Sequence, residues 1–341
     1  MLQAPDKTGE SPPAAAPLDH GAATGDGLAT SRTPTRTDWL MMLGVAVLGG
    51  SSFAAIRIGV ETAPPPVVAA GRLWIAFGFM LAYCRMTGRP FLPLSRQGRF
   101  NPAWLFALAI GVIGYAAPLT AIPWAQRTVS SLLAGIYIAF MPVMTVLLAA
   151  LFADERLTAR KAAGFLGGTA GVLVLIGPDA LAHIFSEDVR AQLVLLLSVT
   201  GYAVASVVMR RAPDVPARSF AAAFLLCGAL LATPGAIAAG TEGISARSWA
   251  AIVFLGLLPT GLNAVFIILT VRRVGAGFLS LSSYLAPLVA ILLGVALFGE
   301  ALEPRYLLGL AAILGGMALA EPDSTRALAS RFRALSSRAG R

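Results

Sequence analysis

From residue 39 to residue 320 the chain is a succession of long apolar runs parted by short charged stretches. Runs nearly free of Asp, Glu, Lys and Arg cover 39–56, 62–84 (broken only by Arg72), 100–126, 128–153, 162–178, 191–209, 219–241, 248–271, 274–299 and 306–320. A helix that crosses lipid needs about 20 mostly apolar residues, since its backbone polar groups must be satisfied within the segment. The two short runs, 162–178 and 306–320, each borrow a residue or two at their ends. The runs are continuous rather than alternating, which excludes a lipid-facing β-barrel. The pattern predicts an all-α integral membrane protein of ten transmembrane helices.

Composition agrees. Of 341 residues 57% are hydrophobic and 13% charged, with mean hydropathy +0.76, far from the balance of a soluble enzyme. The net charge of +9 calls for a nucleic acid only if the cations cluster for one. They do not. With the N-terminus in the cytoplasm, 20 of the 26 Lys and Arg fall in the tails and alternate loops on that side, and six on the other or within spans. This is the positive-inside bias, and it predicts cytoplasmic termini and no nucleic-acid partner. Cys84 and Cys227 lie in apolar runs, so no disulfide scaffold is expected. His20 and His183 lie outside the runs, and no metal site or cofactor is expected either.

Residues 1–37, rich in Pro, Ala, Gly, Ser and Thr, read as a disordered N-tail without a signal-peptide core. Residues 322–341 read as a basic C-tail: either a solvated positive-inside segment or an amphipathic helix with Leu328, Phe332 and Leu335 on one face.

The chain also repeats itself. Laid on 249–316 without gaps, residues 104–171 match at 13 of 68 positions, at an offset of 145. Shared Leu and Ala would follow from composition. Trp104/Trp249, Arg127/Arg272, Pro142/Pro287, Glu155/Glu300, Arg160/Arg305 and the glycine pairs 111/256, 164/309 and 171/316 would not. The expected division is 38–178 and 190–321. Five spans are an odd number, so the second half enters the membrane in the opposite sense. Such inverted repeats are a transporter architecture, with the substrate site near the midplane between the halves.

The repeat carries a signature. The first half ends on Pro142-Val-Met, Leu151-Phe-Ala-Asp-Glu155-Arg-Leu157 and Gly164, and the second on Pro287-Leu-Val, Leu297-Phe-Gly-Glu300-Ala-Leu302 and Gly309. With Gly50-Ser51-Ser52-Phe53 in the first span and Ala70-Gly71-Arg72-Leu73 in the second, residues 39–321 resemble the drug/metabolite transporter superfamily in its ten-helix branch of paired EamA domains. Asp154 departs from that pattern, standing where the family usually has Gly. The resemblance implies a secondary transporter, often an exporter of amino acids or other small metabolites. The arginine- and alanine-rich usage points to a bacterium with a GC-rich genome, and a helical bundle then to its cytoplasmic membrane. The small multidrug relatives in that superfamily use a membrane-embedded Glu. Here every acidic residue lies outside the central part of the spans, so the expected substrate is anionic, zwitterionic or neutral.

Arg72 is the foremost candidate site residue. A charge inside a span is costly and needs a partner, a cavity or the interface. It reads either as an anchor for a substrate carboxylate or phosphate, or as a structural residue that snorkels or pairs with Glu61. Arg57 and Glu61, four apart, are expected to pair with each other. Pro118, Pro142, Pro259 and Pro287 lie within spans, where each frees a carbonyl. Near them Tyr115, Tyr137, Asn263, Ser282, Ser283 and Tyr284 could hydrogen-bond a substrate, and Trp74 and Trp124 could stack on one; helix packing and an aromatic belt are the competing roles. The glycines of 163–171 and 309–316 read as a helix-packing face. No catalytic constellation is present: no paired-Asp diphosphate site, no Ser/His pair, no His-based acyl-transfer site. The remaining alternative is a non-transporting sensor or assembly protein. The partners expected are membrane lipid and a small-molecule substrate; the sequence leaves the oligomeric state open.

Overall fold

The computed structural model describes residues 34–96, 98–152, 158–176 and 187–320. The N-terminal tail, Glu155, the histidines and the basic C-tail with its amphipathic alternative lie wholly or largely outside these residues. Among those described, the only strands are β1 (Ser95–Arg96) and β2 (Arg99–Phe100), a minimal antiparallel ladder in one loop. Everything else regular is helical.

The first two spans are single helices, α1 (Arg36–Gly59) and α2 (Pro65–Met86). A capping box starts α1: the Thr35 N–H donates to Asp38 at 2.8 Å, and its hydroxyl lies 2.6 Å from the same carboxylate oxygen. Proline starts α2, where the missing N–H costs nothing. The third span runs from α3 (Ala103–Ile110) through a π-helical segment, Gly111–Ala116, into α4 (Ala117–Ala125). The fourth is α5 (Ser131–Ile138) and α6 (Met141–Phe152), and the fifth is α7 (Ala159–Ile176).

The second half repeats this plan. It contains α8 (Glu187–Arg210), α9 (Ala217–Ala239), then α10 (Ala246–Leu255) joined through a second π segment, Gly256–Leu262, to α11 (Asn263–Val274). After these come α12 (Ala276–Leu279) with α13 (Ser282–Phe298), and α14 (Pro304–Ala320). Seven continuous helical stretches are long and apolar enough to cross a membrane; α13 and α14 are shorter apolar helices, and α7 makes ten spans.

Four of the ten runs are thus interrupted rather than straight. The two π segments begin at Gly111 and Gly256, a repeat-matched pair at the offset of 145. Pro118 lies in the first turn of α4, Pro142 opens α6 just beyond the break, Pro259 lies inside the second π segment, and Pro287 lies within α13.

Packing follows a two-fold pattern. α2 lies along α9 and α7 along α14, pairing the second and the fifth spans of the two halves. α1 packs on α10, α11 and α13, and correspondingly α8 packs on α4 and α6. The α7–α14 pair needs its glycines. A Cβ on Gly164 would stand 2.5 Å from the Gly316 carbonyl oxygen, and one on Gly171 2.7 Å from that of Gly309. The small-residue stripes are therefore a contact face inside the molecule.

Candidate functional site

Arg72 lies seven residues into α2, about 10 Å below its start at a rise of about 1.5 Å per residue. Only 8% of it is exposed. Its Nε donates to Thr260 Oγ1 at 2.6 Å. Thr260 belongs to the second π segment, and the reason it is available lies one residue earlier. Pro259 has no N–H to give the Leu255 carbonyl in α-helical register, and the Thr260 hydroxyl donates to that carbonyl at 2.8 Å. The hydroxyl is thereby oriented to accept from Arg72. Gly256 lets α2 pass: a Cβ there would meet the Arg72 carbonyl at 2.9 Å and the Ile75 side chain at 2.6 Å.

The first π segment delivers Tyr115 to the same place. Arg72 interacts electrostatically with Tyr115 and with Tyr202 of α8. Tyr115 stacks on Phe224 of α9 with ring centroids 4.8 Å apart. Tyr115 and Thr260 are themselves repeat mates at the offset of 145. The two half-sequences thus each send one hydroxyl-bearing side chain from a π segment toward one guanidinium. Neither terminal nitrogen of Arg72 bonds a described residue, and no described carboxylate pairs with it.

The other candidates are dispersed. Trp74, two residues on, projects about 200° further round α2; it is 39% exposed and donates from Nε1 to Thr233 Oγ1 of α9 at 3.0 Å. Trp124 lies at the far end of α4, partly exposed, beside a cavity of about 850 Å³ between α2, the first π segment, α4, α8 and α9. Tyr137 is fully buried and its hydroxyl donates to Gln192 Oε1 at 2.8 Å, joining α5 to α8. Asn263 opens α11 directly after the second π segment, and its Oδ1 is sealed from solvent without a hydrogen bond. Ser282 donates to the Leu279 carbonyl at 2.8 Å, Ser283 is half-buried, and Tyr284 packs against the larger core cluster.

The expected ion pair at the end of α1 is replaced by others. Arg57 does not bind Glu61. α1 ends at Gly59 and the chain turns, so the i, i+4 geometry of a helix no longer holds at 61. Arg57 instead binds Glu300, while Glu61 faces Arg247 at 3.4 Å and leaves Arg72 without it.

Glu300, in sequence only a mark of the repeat, has a structural role. Its side chain is 4% exposed, and its Oε1 accepts from Arg57, from the Ser131 N–H at 2.9 Å and from the Ser131 hydroxyl at 2.7 Å. Its Oε2 accepts from the Leu132 N–H at 2.8 Å. A carboxylate from the second half thus occupies the N-terminus of α5 in the first, where free N–H groups and the helix dipole favour an anion. Gly294 leaves the room: a Cβ there would stand 2.5 Å from Glu300 Oε2. Ser130, which caps α5 through the Leu133 N–H at 3.1 Å, was the available signal for such a docking point. Beside it opens a polar cavity of about 610 Å³, bordered by Arg57, Glu61, Arg127, Glu300 and Glu303.

At its opposite end α1 holds the second half again. Asp38, fully buried, binds Arg273 Nε of α11 at 2.6 Å. The two pairs, 19 residues apart on one helix, stand about 28 Å from each other.

Two inverted helical halves, with discontinuous spans meeting at one buried cation, are the build of a secondary transporter. The model of the EamA-like transporter family matches residues 38–177 and again 189–320, and the chain belongs to that family. Among its relatives, an aromatic amino acid exporter, YddG of Ancylobacter novellus, is 29% identical over 81% of this chain and 94% of its own. An uncharacterized inner membrane transporter, YedA of Escherichia coli, is 27% identical over 80% of this chain and 87% of its own. A solved crystal structure 25% identical in sequence superposes with a TM-score of 0.60, covering 85% of this chain and 99% of that one.

Proposed function

We propose that the protein exports small carboxylate-bearing metabolites, amino acids foremost, by alternating access between its halves, with Arg72 as the carboxylate anchor. The observation that carries this reading is the state of Arg72: a buried guanidinium held at Nε by a neutral hydroxyl, with its two terminal nitrogens open to a partner. A guanidinium presents those nitrogens as a fork that fits a carboxylate, and a charge inside a span is retained for use. The aromatic amino acid exporter among its relatives supports the same substrate class. Tyr115, Tyr202 and Asn263 are the flanking groups for the rest of the ligand. The division into 38–178 and 190–321 supplies the two rocking bodies.

In this reading the two inter-half ion pairs on α1 are the gates. Asp38–Arg273 closes one end and Arg57–Glu300 the other, and each must open in turn. The positive-inside bias supports a cytoplasmic position for the Asp38 end and both termini, and the inner membrane transporter of Escherichia coli among its relatives supports a bacterial inner membrane. No catalytic step or cofactor enters the cycle.

Counterflow of radiolabelled amino acids in proteoliposomes tests the proposal. Saturable exchange of a carboxylate-bearing substrate, lost in Arg72→Ala, is expected. Binding without flux would instead favour a sensor, and undiminished exchange by Arg72→Ala would remove the anchor.

A further inference from the structure

At the end of the bundle where α2 stops, α9 starts and α11 stops, a cavity of about 450 Å³ is lined by Arg89, Arg218, Arg272, Asp214, Pro216 and Ile268, among others. Each arginine is placed by a separate device. α2 ends in a Schellman turn: Gly88, at φ +64°, donates to the Arg85 carbonyl at 3.1 Å, and the Arg89 N–H to the Cys84 carbonyl at 2.9 Å. The next residue is tied to α9, since Ser219 Oγ donates to the Pro90 carbonyl at 2.6 Å. Arg89 is therefore held beside the first turn of α9. Arg218 is the second residue of α9, and its guanidinium carbon lies 5.0 Å over the Tyr83 ring. Arg272 sits in the last turn of α11, one turn beyond Ile268.

Three further observations concern what this cluster lacks. The residue before α9 is Pro216, which has no side-chain acceptor, so the first N–H groups of a 23-residue helix stay uncapped at the cavity wall. Arg218 Nε is sealed from solvent and has no hydrogen-bond partner. Among the described residues, none of Arg89, Arg218, Arg272 and Asp214 makes an ion pair. Positive-inside sorting needs arginines in these loops, but it does not need three of them converging on one concavity at a helix N-terminus.

We propose that this cavity binds a phosphate-type oxyanion. Guanidinium forks and a helix N-terminus are complementary to a tetrahedral group with several anionic oxygens. Such a group has two sources at the end of a membrane bundle: the headgroup of an anionic phospholipid, or dissolved phosphate. Asp214 opposes the anion from the exposed rim and sets the affinity from that side. The site stands apart from Arg72 and does not depend on what the protein transports.

The test uses the purified full-length protein. Its melting temperature is measured against inorganic phosphate at constant ionic strength, with chloride as the control, and in nanodiscs of phosphatidylcholine with and without phosphatidylglycerol. The Arg89→Gln/Arg272→Gln pair changes two exposed side chains. The expected result is stabilisation of the native protein by phosphate, weakened in the double variant by about tenfold for each arginine lost, and strengthened in Asp214→Asn. Arg72→Ala should keep the native response. Stabilisation by phosphatidylglycerol in phosphate-free buffer, lost in the double variant, identifies the lipid headgroup; a response to phosphate alone identifies the dissolved ion. No response to either, or equal responses in native protein and double variant, overturns the proposal. If the double variant does not fold, Asp214→Asn decides, since an unchanged phosphate affinity in it overturns the proposal too.

Discussion

Replacing Glu300 with glutamine separates a gate from a simple helix cap. The carboxylate receives three bonds on Oε1 and one on Oε2. A glutamine can keep its oxygen toward Ser131 and Arg57, but its amide nitrogen then faces the Leu132 N–H, donor against donor. Leaving that buried N–H unpaired costs about 1–3 kcal/mol, and the bond to Arg57 loses its charge assistance, worth about 1 kcal/mol more. The Arg57 side chain is 37% exposed, so water screens its share and the lower values apply. A total of about 2–3 kcal/mol shifts the closed-to-open equilibrium at this end roughly 30- to 160-fold. Val129 borders the adjoining cavity and is only 6% exposed. In a background with Cys84 and Cys227 replaced by alanine, Val129→Cys should label with maleimide faster by that factor once Glu300→Gln is added. A lowered melting temperature with unchanged labelling would refute the gate and leave Glu300 as a cap. If neither changes, the energetic reasoning itself fails.

Three other outcomes follow from the geometry. Arg72→Ala should weaken a carboxylate substrate by about 10- to 100-fold in transport KM and a neutral analogue far less, and equal losses for both would make Arg72 structural. Asp38→Asn, at the other end of α1, should raise accessibility there while leaving Val129→Cys labelling at its native rate; a rise at both ends would mean that the helix simply loosens. Gly164→Leu should cost about 1–3 kcal/mol and lower the melting temperature, because its Cβ meets the Gly316 carbonyl, whereas Gly315→Ala, with open space around it, should cost nothing measurable.

The spans were legible because lipid imposes a length and a polarity that no soluble context requires. The repeat was legible because Trp, Pro, Arg and Gly rarely match by composition. Arg72 was legible as an isolated charge in an apolar run. Its partner was not. Thr260 is an ordinary hydroxyl in sequence, and it gains its position only because Pro259 silences the donor before it and a π turn widens the helix. The Arg57–Glu61 expectation failed for a related reason: spacing along a chain predicts contact only while the helix lasts, and α1 stops two residues too soon. Glu300 lay in a loop by sequence, where a carboxylate is commonly solvated. Its burial depends on a helix end supplied by the other half of the molecule, 169 residues away.

The paired π segments also preserve an order of events. A π turn is what remains when a helix carries one residue more than its α-helical frame can hold. Both halves carry that surplus, and in both it begins at the same glycine of the repeat. The simplest history places the insertion in an ancestor with only one half, before the gene was copied and joined to itself. The single arginine at the meeting point has no counterpart in the second copy, since α9, the mate of α2, carries its one arginine, Arg218, in its first turn. The older half-sized ancestor thus already had the bent helices, and the asymmetry that lets one chain hold one ligand arrived after the two copies had become one polypeptide.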